Sequence, residues 1–213
     1  MPAITPPPPL AALRPPIVQR RIPFGAARRA ETAAYARRHY GLDTWRLRHP
    51  RVIVEHLTLN DSLQATFDAF APDVPDPELR EKPGVCSHFA VGADGRIWQF
   101  VPLGTMCRHT VGLNWTAIGI EHVGRTERQV LGDRRQLRAS LALTRWLRCT
   151  FGIGVRDVIG HAESLSSPYH RERVARLVRQ THSDWRTPYM RTYRARLTAL
   201  GGCPVLSPSS GRP

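Results

Sequence analysis

The sequence predicts a mixed α/β (α+β) layer fold, and three observations predict it. Short β-branched runs, RVIVEHL at 51–57 and AIGIEHV at 117–123, alternate with longer segments of helical character. The turn Ala93-Asp94-Gly95 separates VCSHFAVG from RIWQFVP, as in a β-hairpin. Residues 133–151 place Leu137, Leu141, Leu143, Trp146, Leu147 and Phe151 near helical spacing, as a long amphipathic helix does.

The remaining elements follow in order. Residues 25–40 (GAARRAETAAYARRHY) carry strong helix formers, and Gly41 suits the position just past a helix end. Asn60 or Asp61 is expected to cap a helix over about 62–70. A polar, proline-rich loop follows, DVPDPELREKPG. RDVIGH predicts a short strand running into a loop, and 169–179 and 187–200 predict helices. Residues 1–23, with the run Pro6 to Pro9, predict an extended arm. Residues 201–213 (GGCPVLSPSSGRP) predict a flexible tail, which leaves 24–200 as the folded domain.

A chain of 213 residues suits one domain with a proper core. No run reaches the roughly 18 apolar residues of a membrane span. The start, MPAITPPPPLAALRPP, lacks the apolar stretch and cleavage site of a secretory signal. The formal charge is +14, with Lys82 the only lysine, and such a field favours polyanionic partners. No zinc-finger, homeodomain or RNP motif accompanies it, so specific nucleic-acid binding is not expected. The cysteines, Cys86, Cys107, Cys149 and Cys203, form no CxxC pair. A bridge between Cys86 and Cys107 is one reading; buried free thiols are the expected one.

Three histidines stand where chemistry gathers. His56 ends the strand VIVEH, His161 follows DVIG at the end of another, and His182 lies in the loop RQTHSDW. Three ligands with one open position define a catalytic zinc site, and imidazole is its commonest donor. No HExxH spacing is present, so spacing alone does not assemble such a site.

The ordered series VIVEHLT, CSHFAVGADGRIWQFVP, CRHTVG, NWTAIGIEHVG, IGHAES and RQTHSDW resembles the zinc amidases of the amidase-2 class, which includes the peptidoglycan recognition proteins. The resemblance covers about residues 50–186. It implies a central mixed β-sheet flanked by helices on both faces. It also implies zinc-dependent hydrolysis of the bond between N-acetylmuramic acid and L-alanine of peptidoglycan; the net charge adds an anionic cell-wall surface as partner, and a monomer is expected. A non-catalytic peptidoglycan-binding module on the same fold is the alternative.

By the same resemblance, His56 and His161 match the first two zinc ligands. His182 takes the third position, with Asp184 as its competitor. The family's lysine two residues before the third ligand is replaced by Gln180, which can donate to a developing oxyanion but brings no charge. Glu121 matches the glutamate that handles the attacking water; a carboxylate in the apolar run GIEHV needs a partner or a task. His109, Asn114 and Ser87 are expected to contact substrate. By strand alternation Glu55 points away from His56 and His122 away from Glu121. Glu55 is expected in an ion pair, with arginine as a candidate partner, and His122 in a structural role.

Overall fold

The computed structural model describes residues 10–204; the run Pro6–Pro9 and most of the expected tail lie outside them. Its centre is a six-stranded mixed sheet, built in the order β1-β4-β3-β5-β2-β6. The strands are β1 (Val18–Gln19), β2 (Val52–Leu57), β3 (Phe89–Val91), β4 (Ile97–Gln99), β5 (Ala117–His122) and β6 (Val158–Gly160). Only the hairpin β3–β4 is antiparallel; β1 pairs parallel to β4, and β2 runs parallel to both β5 and β6. The sheet therefore reaches into the stretch expected to be an arm. Past β1, Arg20 and Ile22 still donate backbone hydrogen bonds to Gln99 and Phe100.

Alternation along the central strands divides the core. Ile53 of β2 and Ile118 and Ile120 of β5 face α4 (Arg134–Phe151) and α5 (Thr187–Ala199), against Leu143, Leu147, Met190, Tyr193 and Leu197. On the other face, Ala90 packs with Leu63, Phe67 and Phe70 of α2 (Leu63–Phe70), while Val52, Val54 and Ala117 pack with Leu113. α1 (Ala26–Tyr40) buries Tyr35, Ala36 and Tyr40 against Met106. A short α3 (Glu127–Gly132), unmarked by sequence periodicity, precedes α4.

Helix ends follow local chemistry. Gly41 takes φ 67° and closes α1, and Asp133 caps α4 by accepting from the N–H groups of Arg135 and Gln136. The cap of α2 is Ser62, whose Oγ accepts from Ala65 N–H at 3.0 Å, rather than Asn60 or Asp61. Asn60 instead accepts from Ser62 N–H, and Asp61 pairs with Arg125.

The helix expected over 169–179 does not form; only Ala175–Leu177 makes a single 3-10 turn. The backbone donors of that segment are spent elsewhere: Arg171 N–H on Gly112 O and Arg173 N–H on His39 O. Glu172 meanwhile hydrogen-bonds the His39 ring. The cysteines are not free. Cys86 is bridged to Cys107 and Cys149 to Cys203.

Candidate metal centre and groove

The site forms at one end of the central strands. His56 of β2 and Glu121 of β5 are register partners in adjacent parallel strands, so their side chains leave the sheet on one face. Gly160 is the last residue of β6 and pairs with Glu55, which puts the next residue, His161, beside His56. Asp184 comes from the segment leading to α5.

That segment is stitched to both histidines. Leu57 N–H donates to Asp184 Oδ2 at 3.1 Å, and Trp185 Nε1–H donates to His56 O at 3.1 Å. Ala162 N–H donates to Asp184 O at 2.9 Å, and Thr181 Oγ1 donates to His161 O at 3.0 Å. Gly160 makes this approach sterically allowed. A Cβ there would stand 1.8 Å from Trp185 O, so no larger residue fits without moving the segment.

Three side chains converge as a result. His56 Nδ1 lies 3.1 Å from His161 Nδ1, His161 Nδ1 lies 3.3 Å from Asp184 Oδ1, and His56 Nδ1 lies 3.8 Å from Asp184 Oδ2. Ligands about 2.0–2.1 Å from a tetrahedral zinc ion stand about 3.3 Å apart, so the spacing fits such an ion. The second nitrogen of His56 is occupied: Nε2 meets His109 Nδ1 at 3.1 Å and Thr110 Oγ1 at 3.3 Å. That fixes the ring and leaves Nδ1 for the cluster.

Electrostatics agree with a ligand set. Burial, followed by the neighbouring imidazoles of His161 and His109, holds His56 well below its ordinary pKa, hence neutral. Burial alone would raise Asp184, but His161 and the Leu57 N–H outweigh it and the net shift is downward. Burial, with the Asp184 carboxylate adding to it, pushes Glu121 up to about 8. These three donors and Glu121 line a groove of about 850 Å³. Its other walls include Thr66 and Phe70 of α2, Arg108, Arg125 and Arg186.

The structure places the other expected site residues as follows. The converging donor set is His56, His161 and Asp184, without His182. The His182 ring stacks on His161 at 4.7 Å, and its Nε2 is taken by Glu78 Oε2 at 2.9 Å. Gln180 does not line the main groove; its amide donates to Glu78 Oε1. Asn114 is fully buried and fully used: Oδ1 accepts from His109 and Thr110 N–H, and Nδ2 donates to the hydroxyls of Tyr35 and Tyr40. It holds the loop bearing His109 and Thr110 and is closed to substrate. Ser87 is equally buried and donates to Phe89 O. His109 does line the groove, and it also braces His56.

Glu55 and His122 leave the sheet on the far face. His122 Nδ1–H donates to His56 O, and its Nε2 accepts from Ser140. Among the described residues Glu55 has no arginine partner: Thr144 donates to its Oε1, and His122 Nε2 stands 3.7 Å from its Oε2. Sequence reasoning missed Thr110 and Glu78. A hydroxyl directly after His109 was a usable signal for the first; nothing in DVPDPELREKPG marked the second.

A sequence model of the family described as N-acetylmuramoyl-L-alanine amidase matches residues 46–187, a span that contains every donor of the cluster. Among solved structures, the chain is similar to the N-acetylmuramoyl-L-alanine amidase LysC from Clostridium intestinale URNW. Identity is 20%, TM-score 0.56, and the match covers 87% of this chain and 99% of that one. The endolysin amidase LysCS from the same organism matches at 20% identity and TM-score 0.55, over 86% and 96% of the two chains. A mutant endolysin from Bacillus subtilis matches at 20% identity and TM-score 0.50, over 85% and 98%. At these identities the structural likeness establishes the shared fold. No curated protein sequence matches the chain.

Proposed function

The chain belongs to the N-acetylmuramoyl-L-alanine amidase family, and on that premise we propose that it is a zinc-dependent amidase releasing stem peptides from peptidoglycan. The bond cut is the amide between N-acetylmuramic acid and L-alanine. The observation that carries this reading is the convergence of His56 Nδ1, His161 Nδ1 and an Asp184 oxygen beside Glu121 in one groove. Two imidazoles and a carboxylate suit zinc, which when bound polarises a carbonyl and lowers the pKa of water at its open position.

The protein's own groups do the rest. Glu121 faces the cluster from the adjacent strand and has no hydrogen bond to another side chain among the described residues, so its carboxylate is available to solvent in the groove. It takes a proton from the attacking water and returns one to the departing amine. His109 and Thr110 hold the His56 ring, and the carbonyl of His56 is fixed by Trp185 and His122.

With Asp184 as third ligand, the residue two positions earlier is His182, not Gln180. His182 lines the groove, and Glu78 holds its Nε2 while Nδ1 has no protein partner among the described residues. Glu78 accepts from Nε2–H, so Nδ1 is an acceptor, and we assign it a hydrogen bond from a substrate N–H in the groove. All donors, the base and the groove come from one chain, so the reading needs no second copy. The +14 charge favours an anionic wall as working surface.

The test is incubation with soluble muropeptides, with and without chelator, followed by mass analysis of fragments. Chelator-sensitive release of peptides beginning with L-alanine is expected. Binding of muropeptides without any cleavage would replace this reading with the binding-module one.

A further inference from the structure

Two helices carry a charge pattern that the groove does not use. α4 and α5 cover the sheet face opposite to His56 and Glu121, and neither contains an acidic residue. Arg134, Arg135 and Arg138 of α4 and Arg191 and Arg196 of α5 are exposed. Among the described residues, the one ion pair made by either helix is Arg194 with Glu163. Asp133, adjacent in sequence, is spent on the helix cap. Arg196 reaches Leu131 O, which brings it to the start of α4. Arg14 lies over the Trp146 ring at 5.4 Å and adds to the same side.

The arginines border a second groove, of about 480 Å³, between residues 10–13, α4 and the end of α5. Its floor is apolar, with Leu13, Leu137, Leu141 and Leu200, and its rim holds Arg134, Arg138 and Arg145. Positions 134, 138, 141 and 145 lie on one stripe of a helix, so rim and floor share a single face. Leu200 is 40% exposed.

We propose that this groove docks an anionic lipid surface, with headgroup phosphates on the arginine rim and the apolar floor against the upper acyl region. A soluble polyanion would satisfy the rim and leave the floor in water; an amphiphile satisfies both. Because the groove lies on the opposite sheet face from the metal centre, docking leaves the latter open to substrate.

The experiment is cosedimentation of the full chain with vesicles of phosphatidylcholine alone and of equal parts phosphatidylcholine and phosphatidylglycerol. Binding is expected only to the anionic vesicles. R134Q/R138Q/R145Q should weaken it by about a hundredfold at low salt, from about fivefold per arginine. L13N/L200N, at partly exposed positions, should weaken it roughly tenfold. R80Q/R179Q, which removes equal charge per site elsewhere, should leave it within about twofold. Matching circular-dichroism melts establish that each variant is folded. Equal binding to both vesicle types overturns the proposal. So does an R80Q/R179Q loss as large, per charge, as that of the triple variant. Wild-type binding by L13N/L200N, with full competition from soluble polyphosphate, overturns it in favour of charge alone. Hydrolysis of soluble muropeptides should be unchanged in every variant, so this test and that of the amidase reading fail separately.

Discussion

Asp184 is held by its neighbours on both sides. Leu57 N–H fixes its side chain, and Ala162 N–H fixes its carbonyl. The sequence carries two metal-competent residues two positions apart, and His182 was the expected ligand with Asp184 as competitor; the position of Asp184 is set by β2 and the turn after β6, both distant in the chain. Removal of each side chain tests the choice. Asp184→Ala is expected to lose most bound zinc, by metal analysis of purified protein, while His182→Ala retains it and loses turnover. Zinc loss in the His182 variant, with retention in the Asp184 variant, would reverse the assignment. Glu121→Gln keeps the shape of the side chain and removes the base. Zinc content should be unchanged and muropeptide cleavage should fall by at least about a hundredfold, the ordinary contribution of a positioned base. Gly160→Ala tests the approach that unites the ligands. Its methyl would meet Trp185 O, so a cost of about 3 kcal/mol and a loss of zinc are expected together. A variant as stable as wild type would show that the segment yields freely.

At the level of elements, β2 was the most legible part of the chain. Its β-branched run, and the alternation that sends Glu55 and His56 to opposite faces, are local properties of sequence. The partner of Glu55 was not legible, since Thr144 and Tyr193 come from helices roughly 90 and 140 residues on, within the span that packing alone brings together. The same limit explains residues 169–179, where a helix-compatible composition is overruled by backbone bonds to Gly112 and His39. Glu55 has a measurable consequence. Burial pushes it up to about 8, against weaker opposing hydrogen bonds from Thr144 and Tyr193. Its folded form therefore holds a proton that the unfolded chain releases near pH 4.5. Stability from this group is full below that pH and falls as pH rises toward 8. Glu55→Gln removes the titrating group, so chemical denaturation should show the variant gaining on wild type from pH 5 to pH 8. The gain should be on the order of 3–5 kcal/mol at the upper end. A constant difference across that range would mean the carboxyl is solvated or paired in the folded state.

Over the whole molecule, the ordered motifs and the alternation of strands and helices made the family and layer architecture readable. The crosslinks were legible only as one open reading, Cys86 with Cys107, because four scattered cysteines give no pairing rule until the fold brings them together. The two bridges sit in different places. Cys86 lines the metal-side groove, and Cys107 immediately precedes Arg108 and His109, so this bridge fixes the loop that braces His56. The other bridge joins the end of α4 to Cys203, beyond α5, far from the donors. Chain entropy predicts that the second matters more to stability, because its sequence separation is 54 against 21. The estimates are about 4 and about 3 kcal/mol. Function should follow the opposite order. Cys149→Ala/Cys203→Ala should melt lower but retain turnover per folded molecule. Cys86→Ala/Cys107→Ala should lose less stability and more turnover, since the support of His56 loosens. Both pairs measured by thermal melting and by muropeptide cleavage well below their melting points would decide the matter. Equal turnover in the two variants would mean that Asn114, with its bonds to His109, Thr110, Tyr35 and Tyr40, holds the loop without help from the disulfide.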